Sequence, residues 1–133
     1  MSYVTDSPSL VFVRDDGSQV RISCEVANTP ATRRRGLMHR AALSPNAGML
    51  FVWPAPEQIS MWMENTPLAL DIVFLDADWR VLHIARGKPM SRVSIPCLRP
   101  AQFVLEASAG WCATHGLRPG ASAMPIRIPA AMS

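Results

Sequence analysis

Most of the features by which a sequence declares its chemistry are missing from this chain. No apolar run reaches the roughly eighteen residues of a membrane-spanning helix, so no membrane span is expected. Met1 to Leu10 carries neither a basic stretch nor an apolar one, which leaves no signal peptide in the sequence as it stands. The expected compartment is the cytoplasm, or the periplasm or exterior if a leader has been removed. Tyrosine occurs once, and the other aromatic residues are scattered rather than arranged as base-stacking platforms. Thirteen basic against ten acidic residues give a net charge of +3, an excess partly local to Arg33-Arg34-Arg35 and Arg40. A nucleic-acid binder shows a broad basic face instead, so nucleic acid is not expected as a partner.

Catalytic and metal motifs are equally sparse. There is no G-x-S-x-G elbow, no phosphate-binding glycine loop and no nucleotide fingerprint. Gly17, Gly36 and Gly48 are isolated and better explained by turns or close packing. Three cysteines, Cys24, Cys97 and Cys112, cannot form a complete disulfide framework, although a Cys97–Cys112 pair is conceivable. Cys112 and His115 have a C-x-x-H spacing without a second ligand pair, which matches no zinc pattern. No metal and no cofactor is expected.

What is present is globular. Apolar residues make up 49% of 133, enough for one domain over residues 1–133 to bury a core without a disulfide or metal. Proline is frequent, with 12 residues, and its fixed φ and missing N–H exclude long helices and favour short β elements.

Leu10 to Val13 reads as a strand, Asp15-Asp16-Gly17-Ser18 as a turn, and Val20, Ile22, Cys24 and Val26 alternate with polar residues as the second arm of a hairpin. Thr29-Pro30 forms an N-cap and first helical position, predicting a helix to about Ala42. Its arginines form either a solvated face or an anion-binding edge that Gly36 lets a partner approach. Met49 to Trp53 is an uninterrupted apolar run, expected to be a strand buried on both faces and ended by Pro54-Ala55-Pro56.

Across Gln58 to Glu64, alternation puts Ile59, Met61 and Met63 on one face and Trp62 with Ser60 and Glu64 on the other. Leu70, Ile72 and Phe74 share a face, and Asp71 falls among apolar neighbours on the opposite one. Trp79 to Arg86 is a returning strand, with Leu82 and Ile84 on one side and Val81 and His83 on the other. Gly87 to Pro100 reads as a long loop, Ala101 to Ala109 as a strand, Gly110 to His115 as a helical turn, and Met124 to Ile128 as an edge strand.

Three acids, Glu64, Asp71 and Glu106, are candidates for acid–base work or ligand binding if their strands are neighbours. The alternative is that each satisfies a backbone donor or an arginine such as Arg40.

Five blocks stand in a fixed order: Arg35-Gly36-Leu37-Met38-His39-Arg40, Gly48-Met49-Leu50-Phe51, Met61-Trp62-Met63-Glu64-Asn65-Thr66, Leu70-Asp71-Ile72, and Val104-Leu105-Glu106-Ala107-Ser108-Ala109-Gly110. Together they resemble the prokaryotic family catalogued as domain of unknown function 192, over residues 20–128. The resemblance implies a compact β-rich domain, a jelly-roll-like sandwich or barrel with a short helix, and no established activity, substrate or cofactor. It also implies that many relatives are exported. The chain departs from the family pattern at Glu64, where lysine is usual, at Ala121, where an acid is usual, and at Trp79, where a turn glycine is usual.

The expectation is therefore a mainly β, jelly-roll-like sandwich or barrel of seven or eight short strands, with one short helix near residues 30–42. It is expected to be a non-catalytic binding or interaction domain with a surface around Trp62. Arg40, Trp62, Asn65, Asp71 and Glu106 are the candidate ligand-binding residues, and an unknown small molecule, a sugar or a protein the partner, with no oligomeric state implied. The alternatives are a hydrolase-like enzyme using Asp71 or Glu106 with His39 or His83, and a purely structural accessory domain.

Overall fold

The computed structural model describes residues 7–132; residues 1–6, which enter the reading for a leader, lie outside them. Among the described residues there are nine strands and two short helices. In order they are β1 (Ser9–Val13), β2 (Gln19–Ala27), α1 (Pro30–Arg35), β3 (Ala47–Glu57), β4 (Ser60–Met61), β5 (Leu70–Leu75), β6 (Val81–Gly87), β7 (Ile95–Pro96), β8 (Ala101–Ser108), α2 (Trp111–Thr114) and β9 (Ser122–Ile126). The mainly β expectation holds. Neither helix is long and apolar enough to cross a membrane.

Seven strands form one sheet in the order β6-β5-β8-β3-β2-β1-β9, and β4 pairs with β7 in a separate ribbon. The large sheet curls until its outer strands meet at one end. There the Val81 N–H donates to the Ala121 carbonyl (2.8 Å), the Gly120 N–H to the Val81 carbonyl (2.8 Å) and the Ala123 N–H to the Trp79 carbonyl (2.9 Å). A bridge between Arg80 and Ser122 completes the contact. β2 and β3 run parallel, joined by the crossover that holds α1.

The curl gives the sheet two apolar faces. The inner face closes over Leu10, Phe12, Ile22, Leu50, Val73, Leu75, Phe103 and Leu105. The outer face, around Phe51, Met63, Leu70, Ile72, Phe74 and Val104, is covered by Leu37 and the β4 segment. β3, β5 and β8 are the strands with both faces packed, which is why their sequences run apolar without strict alternation.

Several boundaries differ from expectation for local reasons. α1 starts as predicted, with a reciprocal capping box between Thr29 and Thr32, but it stops at Arg35 rather than near Ala42. Gly36 ends it at φ 48°, and a Cβ there would come within 3.1 Å of the Phe51 ring, so the backbone must turn where it touches β3. Phe74 and Leu75 of β5 pair with His83 and Val81, so Leu82 is an extra residue in β6 that breaks the expected alternation: Val81 and Ile84 both pack against the inner cluster while Leu82 joins the outer one. The Gly87–Pro100 segment contributes β7 and is anchored: the Met63 N–H donates to Ser91 O, the Met90 N–H to Thr66 O and the Cys97 N–H to Ile59 O. All three cysteines are buried free thiols. Cys97 and Cys112 belong to opposite clusters, so the conceivable pair does not form.

Candidate functional site

The residues after α1 and those around β4 meet over the outer face of β3 and β8. Arg33 donates from Nη1 to the Val52 carbonyl (2.9 Å), and its guanidinium lies 5.4 Å from the centre of the Trp53 ring. Trp53 stacks on Phe51 in turn, at 6.3 Å. These contacts stand the end of α1 along one wall. The opposite wall is the β4 segment. Met63 is its fully buried foot, packed so tightly on β6 that a Cβ at Gly87 would meet its sulfur at 2.5 Å. Above it Ser60 bonds to Ser94, and Arg92 reaches Glu64 at 3.0 Å. The two walls are tied by the His39 N–H, which donates to the Asn65 carbonyl at 2.7 Å. Asn65 has φ 56°, the left-handed conformation that asparagine tolerates better than most residues.

Between these walls lies an open cleft of about 230 Å³, bordered by Arg33, Arg34 and Arg35, with Trp53, Trp62, Glu64 and Thr66 among its lining and Glu106 also contributing. Trp62 is 47% exposed and lines the cleft beside the half-buried Met61, while Met63 is fully buried; the strand expected over Gln58 to Glu64 is reduced to Ser60–Met61, so Trp62 and Met63 lie beyond its end. Glu106 is 4% exposed and sits on β8 opposite Met49 of β3 and Ile72 of β5. No hydrogen bond or ion pair to its side chain is formed by any described residue. Burial pushes its carboxyl up to about 8, so at neutral pH it is a neutral acid that both donates and accepts hydrogen bonds.

The other sequence-derived candidates are elsewhere. Asp71 lies in the inner half of the sheet, where Oδ1 accepts from Arg86 Nε (3.1 Å) and the Gly110 N–H (3.1 Å), and Oδ2 from the Cys112 N–H (2.9 Å). It thereby holds the start of α2. Arg40 pairs in a two-pronged contact with Glu25, which lowers the Glu25 carboxyl through that bond. Asn65 is exposed at its turn and serves it through backbone geometry. The structure thus brings Trp62 and Glu106 to one cleft and leaves Arg40, Asn65 and Asp71 outside its lining. Trp53 and Thr66 were not singled out from the sequence. Trp53 stood at the end of an apolar run that reads as core, and the expectation that Pro54-Ala55-Pro56 ends the strand fails: β3 continues to Glu57 past an irregularity between Val52 and Glu57.

For acid–base chemistry, the geometry separates the partners. Asp71 and Glu106 lie on neighbouring strands but on opposite faces, and none of His39, His83 and His115 lines the cleft. His83 stacks at 6.0 Å on Phe74 instead. Burial pushes the Cys24 and Cys112 thiols up to about 12, with the Asp71 carboxylate adding to the rise at Cys112, so neither is a ready nucleophile. Among the described residues no three of His, Cys, Asp and Glu gather in a metal-binding cluster.

Compared with known proteins, residues 11–124 match the model of the family named domain of unknown function 192 and described as uncharacterized ACR. Among solved structures, a protein described as a suggested transcription regulator from Sinorhizobium meliloti 1021 is 30% identical, with a TM-score of 0.88 over 96% of this chain and 98% of its own. A protein of unknown function from Novosphingobium aromaticivorans DSM 12444 is 32% identical, with a TM-score of 0.83 over 87% of this chain and 83% of its own. No curated protein matches.

Proposed function

The chain belongs to the family of domain of unknown function 192, and from that premise we propose that it is a non-catalytic small-ligand-binding domain whose site is the cleft between Trp62 and Glu106. The observation that carries this reading is Glu106. A carboxyl this buried is ordinarily held by donors, because an unpartnered polar group away from water costs roughly 1–3 kcal/mol. Here the missing partner faces an open cleft with an exposed indole on its wall. A ligand that hydrogen-bonds the acid and stacks on Trp62 satisfies both groups at once.

The cleft, at about 230 Å³, is below the usual range for drug-sized ligands, which favours a molecule of monosaccharide size over a protein segment. The description of the Sinorhizobium protein as a suggested regulator fits a ligand-sensing role better than direct reading of DNA. Helices of six and four residues span only about 9 and 6 Å, too little to lie along a major groove.

The test is a thermal-shift screen of sugars, carboxylates, phosphates and amines on the wild type and on Trp62→Ala. We expect at least one class to raise Tm in the wild type and to fail with Trp62→Ala. A hit that survives both Trp62→Ala and Glu106→Ala moves the site elsewhere. The absence of hits returns the chain to a structural role.

A further inference from the structure

Resting on that reading of the cleft, we infer that its ligand is a small anion with a flat or apolar body, such as an aryl carboxylate, whose charged oxygen accepts a hydrogen bond from the Glu106 acid while Arg34 and Arg35 supply the positive field.

The charge census of the cleft supports an anion. From α1 come Arg33, Arg34 and Arg35; from the β4 segment comes Glu64, already engaged by Arg92; β3 and β8 add no charge but Glu106. Arg33 is committed to the Val52 carbonyl and the Trp53 ring. Arg34 and Arg35 are exposed, and their guanidinium groups make no hydrogen bond or ion pair with any described residue. Guanidinium groups remain protonated over the whole accessible pH range and match carboxylate oxygens in geometry. A cation is disfavoured by the same three arginines, and a flat body is favoured by the exposed Trp62 face.

A further consequence follows from the acid at the bottom of the cleft. Protonated, Glu106 donates to the incoming oxygen; ionised, it repels it and offers only lone pairs. Anion binding therefore weakens as pH rises past the value at which Glu106 loses its proton, close to 8. The expected slope is about tenfold in Kd per pH unit above that point. Histidine does not account for such a slope, since an unperturbed imidazole completes its titration below it and none lines the cleft.

The experiment titrates the protein with benzoate, benzamide and methyl glucoside at pH 6.5, 8 and 9.5, reading Trp62 and Trp53 fluorescence and the chemical shifts of the ligands. The anion reading expects benzoate to bind at least tenfold tighter than benzamide at pH 6.5, and to lose more than tenfold by pH 9.5. Glu106→Gln, which keeps a donor but cannot ionise, is expected to bind benzoate at both pH values with less than a threefold difference. Arg35→Ala is expected to weaken benzoate and leave benzamide unchanged. Circular dichroism at pH 9.5 confirms that the fold persists. Benzamide or the glucoside binding as well as benzoate, in a Trp62-dependent way, overturns the anion inference while keeping the cleft as the binding site. An equal pH slope in Glu106→Gln overturns the role of Glu106. No binding of any of the three overturns both the inference and the reading it rests on.

Discussion

Across β5 and β8 two buried carboxylates sit one register step apart and point opposite ways, Asp71 toward the inner core and Glu106 toward the outer one. Both are 4% exposed. Asp71 is saturated, with three donors that lock the end of the barrel to α2. Glu106 has none and keeps its proton to pH near 8. Equal burial therefore produces two different objects: a structural anchor where the backbone supplies N–H groups, and a neutral acid with no protein partner among the described residues where it does not. On the inner face the chain's own donors hold the acid, whereas on the outer face Glu106 borders the open cleft.

This contrast is sharpest in stability. Asp71→Ala strands the buried Cys112 N–H and the half-buried Gly110 N–H and removes the partner that Arg86 has among the described residues, so urea denaturation should show a loss of about 3–5 kcal/mol. An unchanged midpoint would erase the distinction between the two acids.

Glu106→Gln should act in the opposite direction. Between the ordinary carboxylate value of 4.5 and about 8, the unfolded chain has lost the Glu106 proton while the folded chain still holds it. Folding then takes up a proton, and stability falls as pH rises through that window and levels off above it. The variant should remove that decline and be more stable than wild type at pH 8 by roughly 4 kcal/mol, with little difference at pH 4.5.

A smaller test belongs to the inner face. Trp79 adopts φ 64°, a left-handed conformation that suits glycine better, and stacks on Phe103 with centroids 3.6 Å apart. Both Trp79→Gly and Trp79→Ala lose the stack, but glycine also escapes the left-handed penalty. Thermal unfolding should place the glycine variant about 1 kcal/mol above the alanine one, the reverse of the usual order in a strand or helix. The smallest stability effect is expected at the outer rim, where Trp62→Ala should change the unfolding midpoint by less than about 0.5 kcal/mol while abolishing ligand response.

How much of this was legible depends on whether the signal was local. Period-two alternation separated Asp71 from Leu70 and Ile72, because side chains on a strand have no other choice; Trp62 and Met63 also part, one exposed and one buried, although they lie beyond the end of β4. Thr29-Pro30 announced the start of α1 through capping chemistry. The end of α1 did not announce itself, since Gly36 is forced by the Phe51 ring, fifteen residues further along. The bulge at Phe74–Leu75 likewise follows from pairing across two strands and leaves no mark in either. The candidate site was half visible. Trp62 and Glu106 were marked as oddities, an indole among polar neighbours and an acid in an apolar strand. Their meeting depends on β8 lying beside β3 and on the His39–Asn65 bond between distant segments, which no spacing encodes.

The pairing of β1 with β9 carries a consequence for how the protein is made. Leu10 lies opposite Pro125, and Phe12 opposite Ala123, so the first of the described strands to be synthesised waits for the last of them. Until Ser122–Ile126 emerges, β1 has one unpaired edge and the inner cluster lacks Ala123. Such long-range closure is slow relative to local hairpin formation and exposes apolar strand in the meantime. Emergence of Ser122–Ile126, rather than the early β1–β2 hairpin, is thus the step at which this sheet becomes complete.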